Sequence, residues 1–233
     1  MNKYFLALLA TAAALAISPV AMADTIDLQL SSGASTVNSV PSIIGQTLYV
    51  GAVGTWNFNV TSGLGPPFEG LNPILDLTTV DVSSTAPAAP LTILLTATGL
   101  TTPIGDLPAL INIGGTNSTS GTTITTEAFL STTDAAFCDV ASSTCLALTG
   151  VGTGTGLDFG FDAIGSASTG AGPYSLTLLS TINSNGVADQ SSFDDSLTIT
   201  PEPSSLLLLG TGLLGLAFVA FRKAKSSGAV LSM

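Results

Sequence analysis

Apolar and polar residues alternate with a period of two along much of this chain. Thr55-Trp56-Asn57-Phe58-Asn59-Val60-Thr61 places Trp56, Phe58 and Val60 on one face. Leu157-Asp158-Phe159-Gly160-Phe161-Asp162-Ala163 sets Leu157, Phe159 and Phe161 opposite Asp158 and Asp162, and Ser196-Leu197-Thr198-Ile199-Thr200 repeats the pattern. A strand buried on one side and wet on the other alternates in this way. The segments therefore read as antiparallel strands, apolar inward and polar outward. Further β-branched or leucine-rich stretches predict strands at Thr25 to Leu30, Gln46 to Val50, Ile74 to Val82, Leu91 to Thr98, Leu110 to Ile113, Thr122 to Phe129 and Tyr174 to Ile182. Clusters at Gly63 to Pro67, Ala86 to Pro90, Gly114 to Gly121, Gly150 to Gly156 and Gly165 to Gly172 read as the turns between them. About ten short strands at this spacing predict an all-β, antiparallel sandwich or jelly roll over residues 24–200. A parallel β-helix would show a fixed-period repeat, and no such repeat is present.

Both ends of the chain break the alternation. Lys3, the apolar run Leu6 to Ile17, Pro19 and Ala21-Met22-Ala23 have the layout of a secretory signal peptide over residues 1–23. Signal peptidase would cut after Ala23 and leave Asp24 as the first residue. At the other end, Ser204 to Phe221 is an uncharged run of 18 residues, seven of them leucine. As a helix it would be roughly 27 Å long, close to the ~30 Å core of a bilayer. It predicts a transmembrane helix over 204–221. Arg222, Lys223 and Lys225 would hold its end on the cytoplasmic side, followed by a short tail, 226–233.

Charge sharpens this division. The four basic residues are Lys3, Arg222, Lys223 and Lys225, while Asp24 to Pro203 holds all 15 acidic residues and no basic one. A span of charge −15 cannot grip a phosphate backbone, which excludes nucleic acid as a partner. It also contains no possible salt bridge, so its fold must rest on apolar burial and hydrogen bonds.

Thr200-Pro201-Glu202-Pro203-Ser204-Ser205, the Leu/Gly-rich run and the Arg-Lys tail together resemble the PEP-CTERM sorting signal of exported bacterial proteins, over about 30 residues. The resemblance implies recognition by an exosortase, a membrane-embedded enzyme, and cleavage near Pro201, Glu202 and Pro203. Transfer to the cell surface or release would follow, alongside exopolysaccharide production. Gly210-Thr211-Gly212-Leu213-Leu214-Gly215 matches a dinucleotide fingerprint letter for letter. It lacks the preceding strand and the later acidic residue that such a site needs, so no cofactor is expected.

Candidate chemistry is sparse. Without histidine, and with no base between Asp24 and Pro203, a serine or cysteine nucleophile lacks its usual partner. Asp158 and Asp162, four apart on one strand, are separated by about 13 Å, too far for either glycosidase geometry. An enzyme is not expected. Cys138 and Cys145 are the only cysteines, and in an exported protein they predict a disulfide. Asp189, Asp194 and Asp195, with Gln190, Ser191 and Ser192, form either a solvated acidic turn before the last strand or a loop of hard oxygen donors for calcium. Two binding readings stay open. A carbohydrate-binding or calcium-dependent adhesion module would need exposed aromatics from Trp56, Tyr49, Tyr174 or some of the phenylalanines, although Trp56 falls on the apolar strand face. Ice binding would need Thr122-Thr123-Ile124-Thr125-Thr126 in a flat array.

Overall fold

The computed structural model describes Ala23 and residues 25–66, 74–85, 87–139, 141–199 and 210–219. The strands are β1 (Thr25–Ser32), β2 (Ser35–Asn38), β3 (Gln46–Val53), β4 (Trp56–Leu64), β5 (Ile74–Ser84), β6 (Leu91–Leu100) and β7 (Asp106–Asn117). They continue as β8 (Thr123–Ser131), β9 (Cys145–Ala147), β10 (Gly152–Thr155), β11 (Asp158–Ser168), β12 (Tyr174–Asn183) and β13 (Gln190–Ile199). One sheet runs β10-β8-β12-β6-β1-β2, with β9 also pairing β8; the other runs β11-β7-β13-β5-β4-β3. Every pairing is antiparallel. The chain alternates between the two sheets from β5 to β8 and again from β11 to β13. This is the expected β-sandwich.

Alternation explains the core. Leu107, Ala109, Ile111 and Ile113 of β7, from one sheet, and Leu91, Ile93, Leu95 and Ala97 of β6, from the other, turn into one continuous apolar cluster. All of its buried members lie between Ala23 and Ile199, within the compact unit 1–200. A second unit, 201–233, is described only as a helix over 210–219. No helix among the described residues is long and apolar enough to cross a membrane. The predicted span 204–221 lies largely outside the described residues, as do residues 1–22, Asp24, Pro201 to Pro203, Arg222, Lys223 and Lys225.

Several sequence expectations need correction. The Gly150 to Gly156 cluster is not a turn throughout, because Gly152 and Gly154 lie in β10. A Cβ on Gly152 would stand 1.8 Å from the Phe161 ring, and one on Gly154 would stand 2.6 Å from Phe159. These glycines are the seats for two aromatic rings of β11. Likewise Gly114 and Gly115 continue β7, and Gly165 continues β11. In β4 the predicted face holds for Trp56 and Phe58 and then inverts, since Thr61 is buried. Register slips against β5 between Phe58 and Val60 insert a residue there and reverse the parity.

Gly115 supplies a test of the close sheet packing. A Cβ there would sit 2.4 Å from both the Phe193 Cβ and the Ser192 carbonyl oxygen, and backbone cannot rotate away. Gly115→Ala is expected to lower stability by about 1–3 kcal/mol, read as a lower urea midpoint.

Candidate functional site

The acidic segment is the first candidate, and its period-two geometry separates its members. Ser191, Phe193, Asp195, Leu197 and Ile199 of β13 point inward, while Gln190, Ser192 and Asp194 are exposed. The expected loop is therefore a strand, and the three carboxylates do not converge. Among the described residues no group of three His, Cys, Asp or Glu side chains is placed to hold a metal ion.

Asp189, just before β13, is buried, and its carboxylate is already occupied. Ser118 Oγ and Thr122 Oγ1 donate to it at 2.8 Å each, Ser191 Oγ at 2.9 Å, the Thr119 N–H at 3.0 Å and Thr119 Oγ1 at 3.1 Å. Burial alone would raise its pKa. The hydrogen bonds from Ser118, Thr122, Ser191 and Thr119 outweigh it and hold the group below its ordinary value. Asp189 thus ties the β7–β8 turn to β13.

Asp195 is a different case. Fully buried between the sheets, it accepts hydrogen bonds from Ser180 Oγ of β12, at 2.5 Å, and from Thr126 Oγ1 of β8. Its other oxygen, Oδ1, has no hydrogen-bond partner among the described residues. Burial pushes its pKa up to about 7, against the opposing hydrogen bonds and with a further upward push from Asp76. The reading of Asp195 as part of a solvated turn is overturned. Extending the Ser196–Thr200 alternation backwards through Leu197 and Phe193 would have placed it inside.

Among the described residues, Trp56, Tyr174 and Tyr49 form no stacking platform. Trp56 and Tyr174 are fully buried, and Tyr49 packs edge-on against Phe58 at 5.3 Å between ring centres. Outside the sandwich core, an open depression at one end of the β5–β13–β7 face is lined by Asn59, Asp81, Thr116, Asn117, Gln190 and Ser192. It is wholly polar in its named groups apart from neighbouring Val82. Nothing in it pairs a nucleophile with a base.

The disulfide is present, joining Cys138 to Cys145 with 5.5 Å between their Cα atoms. Its loop lies across the outer face of the first sheet. The N–H groups of Phe137 and Cys138 donate to Thr96 and Thr177 at 3.2 Å each, and Ser175 Oγ donates to the Ala135 carbonyl at 2.5 Å. Replacing both cysteines by serine should cost about 2–3 kcal/mol, measured by denaturant unfolding without reductant.

Beyond that loop the same face carries hydroxyls in register. Thr153, Thr125, Thr181, Thr92, Ser31 and Thr36 are successive cross-strand partners from β10 to β2. Neighbouring strands place them about 4.8 Å apart. Thr126 does not join this row, because it points into the core.

The comparisons with known proteins turn on the C-terminal segment. Residues 200–223 match the PEP-CTERM protein-sorting motif. The PEP-CTERM match covers Pro201, Glu202, Pro203, Arg222 and Lys223, and implies export, surface or extracellular localisation and processing by an exosortase-type enzyme. The domain ahead of the PEP-CTERM segment matches no family. No curated protein matches the chain. Among solved structures, TmCBM61 in complex with β-1,4-galactotriose is 10% identical, with 75% of this chain and 88% of that one covered and a TM-score of 0.34. The adhesin domain of Epf from Streptococcus pyogenes is 13% identical, with 78% and 64% covered and a TM-score of 0.39. Infectious bursal disease virus VP2 is 14% identical, with 78% and 57% covered and a TM-score of 0.38. At these scores the likenesses assign no task to the domain ahead of the PEP-CTERM motif.

Proposed function

We propose that this chain is a non-enzymatic surface or extracellular-matrix protein, tethered as a precursor by residues 204–221 and then trimmed at its sorting motif. Its sandwich serves a structural or interaction role beside exopolysaccharide. The match of residues 200–223 to the sorting motif carries this reading. A self-contained core, a disulfide suited to an oxidising compartment and the absence of bases from the exported span support it. In cells that carry an exosortase, an epitope in the domain should be labelled on intact cells. Replacing Pro201, Glu202 and Pro203 by alanine should abolish that labelling while total protein persists. Unchanged surface labelling of the variant contradicts the route.

The register of Thr153, Thr125, Thr181, Thr92, Ser31 and Thr36 favours a second reading, ice binding by the open half of that face. Thermal hysteresis of the purified domain tests it, and Thr125→Leu with Thr181→Leu should remove any activity that depends on the row. The calcium reading is weakened because Asp189, Asp194 and Asp195 diverge, and the stacking reading is left with half-buried Tyr49 and phenylalanines because Trp56 and Tyr174 are core.

A further inference from the structure

Five strands lie at the edges of the two sheets, the three-residue β9 among them, and they differ in how well they resist pairing with another chain. A natural sheet edge is protected by shortness, by charge or by proline. β2 and β10 have four residues each, and β11 carries Asp158 and Asp162. β3 is the longest edge without charge or proline, eight residues with one register irregularity between Tyr49 and Gly51, and among the described residues it pairs with β4 alone.

Two of its outward side chains are large and apolar, Leu48 and Val50, 62% and 61% exposed. The preceding loop adds Val40, Ile43 and Ile44 at 86%, 75% and 66%. That loop is pinned at its base, where Ile26 and Ser42 exchange backbone hydrogen bonds of 2.8 and 2.9 Å. The two isoleucines are thus held in water by the fold itself. An exposed patch of this kind marks an interaction surface.

Charge identifies the occupant. No charged residue occurs between Leu28 and Phe68, whereas all 15 acidic residues lie outside that stretch. A second copy of the chain is repelled by the carboxylates of the other surfaces, and β3 with its loop is where two copies meet with least repulsion. We propose that β3 is the docking edge for a second copy of this chain. Antiparallel pairing of β3 with its equivalent about a two-fold axis is self-complementary. It would bring Leu48 and Val50 of both copies together and join two six-stranded sheets edge to edge. The regular stretch available is Gln46 to Tyr49, before the register irregularity at Gly51.

The test uses the exported domain, residues 24–200, which holds the whole core. Light scattering over a concentration series should show a monomer–dimer equilibrium. Leu48→Lys and Val50→Lys should each weaken it by about tenfold or more, with the unfolding midpoint unchanged. Ile164→Lys, a charge placed on the opposite edge of the same sheet, should leave the equilibrium as it was. A monomer at every concentration up to about 1 mM, or a dimer indifferent to both β3 variants, overturns the proposal. So does a monomeric domain that co-sediments with phosphatidylcholine vesicles through Ile43 and Ile44, which would assign the patch to lipid.

Discussion

Between pH 5 and pH 8 the sandwich is expected to lose roughly 2–3 kcal/mol of stability through one side chain. Asp195 holds its proton in the folded state up to about pH 7, whereas the unfolded chain releases it near the ordinary value of 3.8. The native state therefore binds more protons throughout that window, and stability falls as the pH rises until it levels off above the folded pKa. Burial raises Glu127 as well, which acts in the same direction. Asp189 has the opposite sign. Its lowered pKa contributes stability above its unfolded value, which is lost as the pH falls further into acid. Working between pH 5 and 8 isolates the first effect. Urea midpoints should decline across this range in the native sequence, and Asp195→Asn should flatten the decline. An equal slope in the variant would remove Asp195 from the account.

Trp56→Ala should be the most damaging single substitution in the core, lowering stability by about 3–5 kcal/mol. The side chain is fully buried at the start of β4, and its Nε1 donates to the Ala89 carbonyl at 2.8 Å. Ala89 lies just before β6, in the other sheet, so the indole closes one end of the sandwich by packing and by a hydrogen bond. Truncation opens a cavity and leaves Ala89 O with only Ser32 Oγ, at 3.3 Å. Set against a typical total of about 5–15 kcal/mol, such a loss brings the domain close to unfolding. Trp56→Phe keeps the apolar bulk and should cost less. Denaturant unfolding of the two variants checks the order. A Trp56→Ala protein as stable as the native one would mean that the indole faces solvent and is free to bind.

Much of the sandwich was legible because its strands are half-buried. The alternations at Trp56–Phe58 and Phe159–Phe161, and the apolar β6, all fall in strands with their apolar residues turned inward. What misled was parity and glycine. One inserted residue after Phe58 turns Thr61 inward in β4, and no local sequence signal announces it. Gly152, Gly154 and Gly115 look like turn residues, but they are strand residues whose missing side chains make room for Phe161, Phe159 and Phe193. That use of glycine depends on partners distant in sequence. Asp195 was misplaced for a related reason, since acidic residues beside serines suggest a loop until the alternation is extended through Phe193. The sorting motif was legible because it is linear: recognition there needs residues in order, not a fold.

The central claim is that the exported sandwich is separated from its C-terminal segment on the way to the surface. Mass spectrometry of the protein recovered from intact cells that carry an exosortase tests it most directly. The account predicts a chain beginning at Asp24, ending near Pro201 to Pro203, and 2 Da lighter than after reduction because of the Cys138–Cys145 bond. A surface-recovered chain that still ends at Met233 would contradict it.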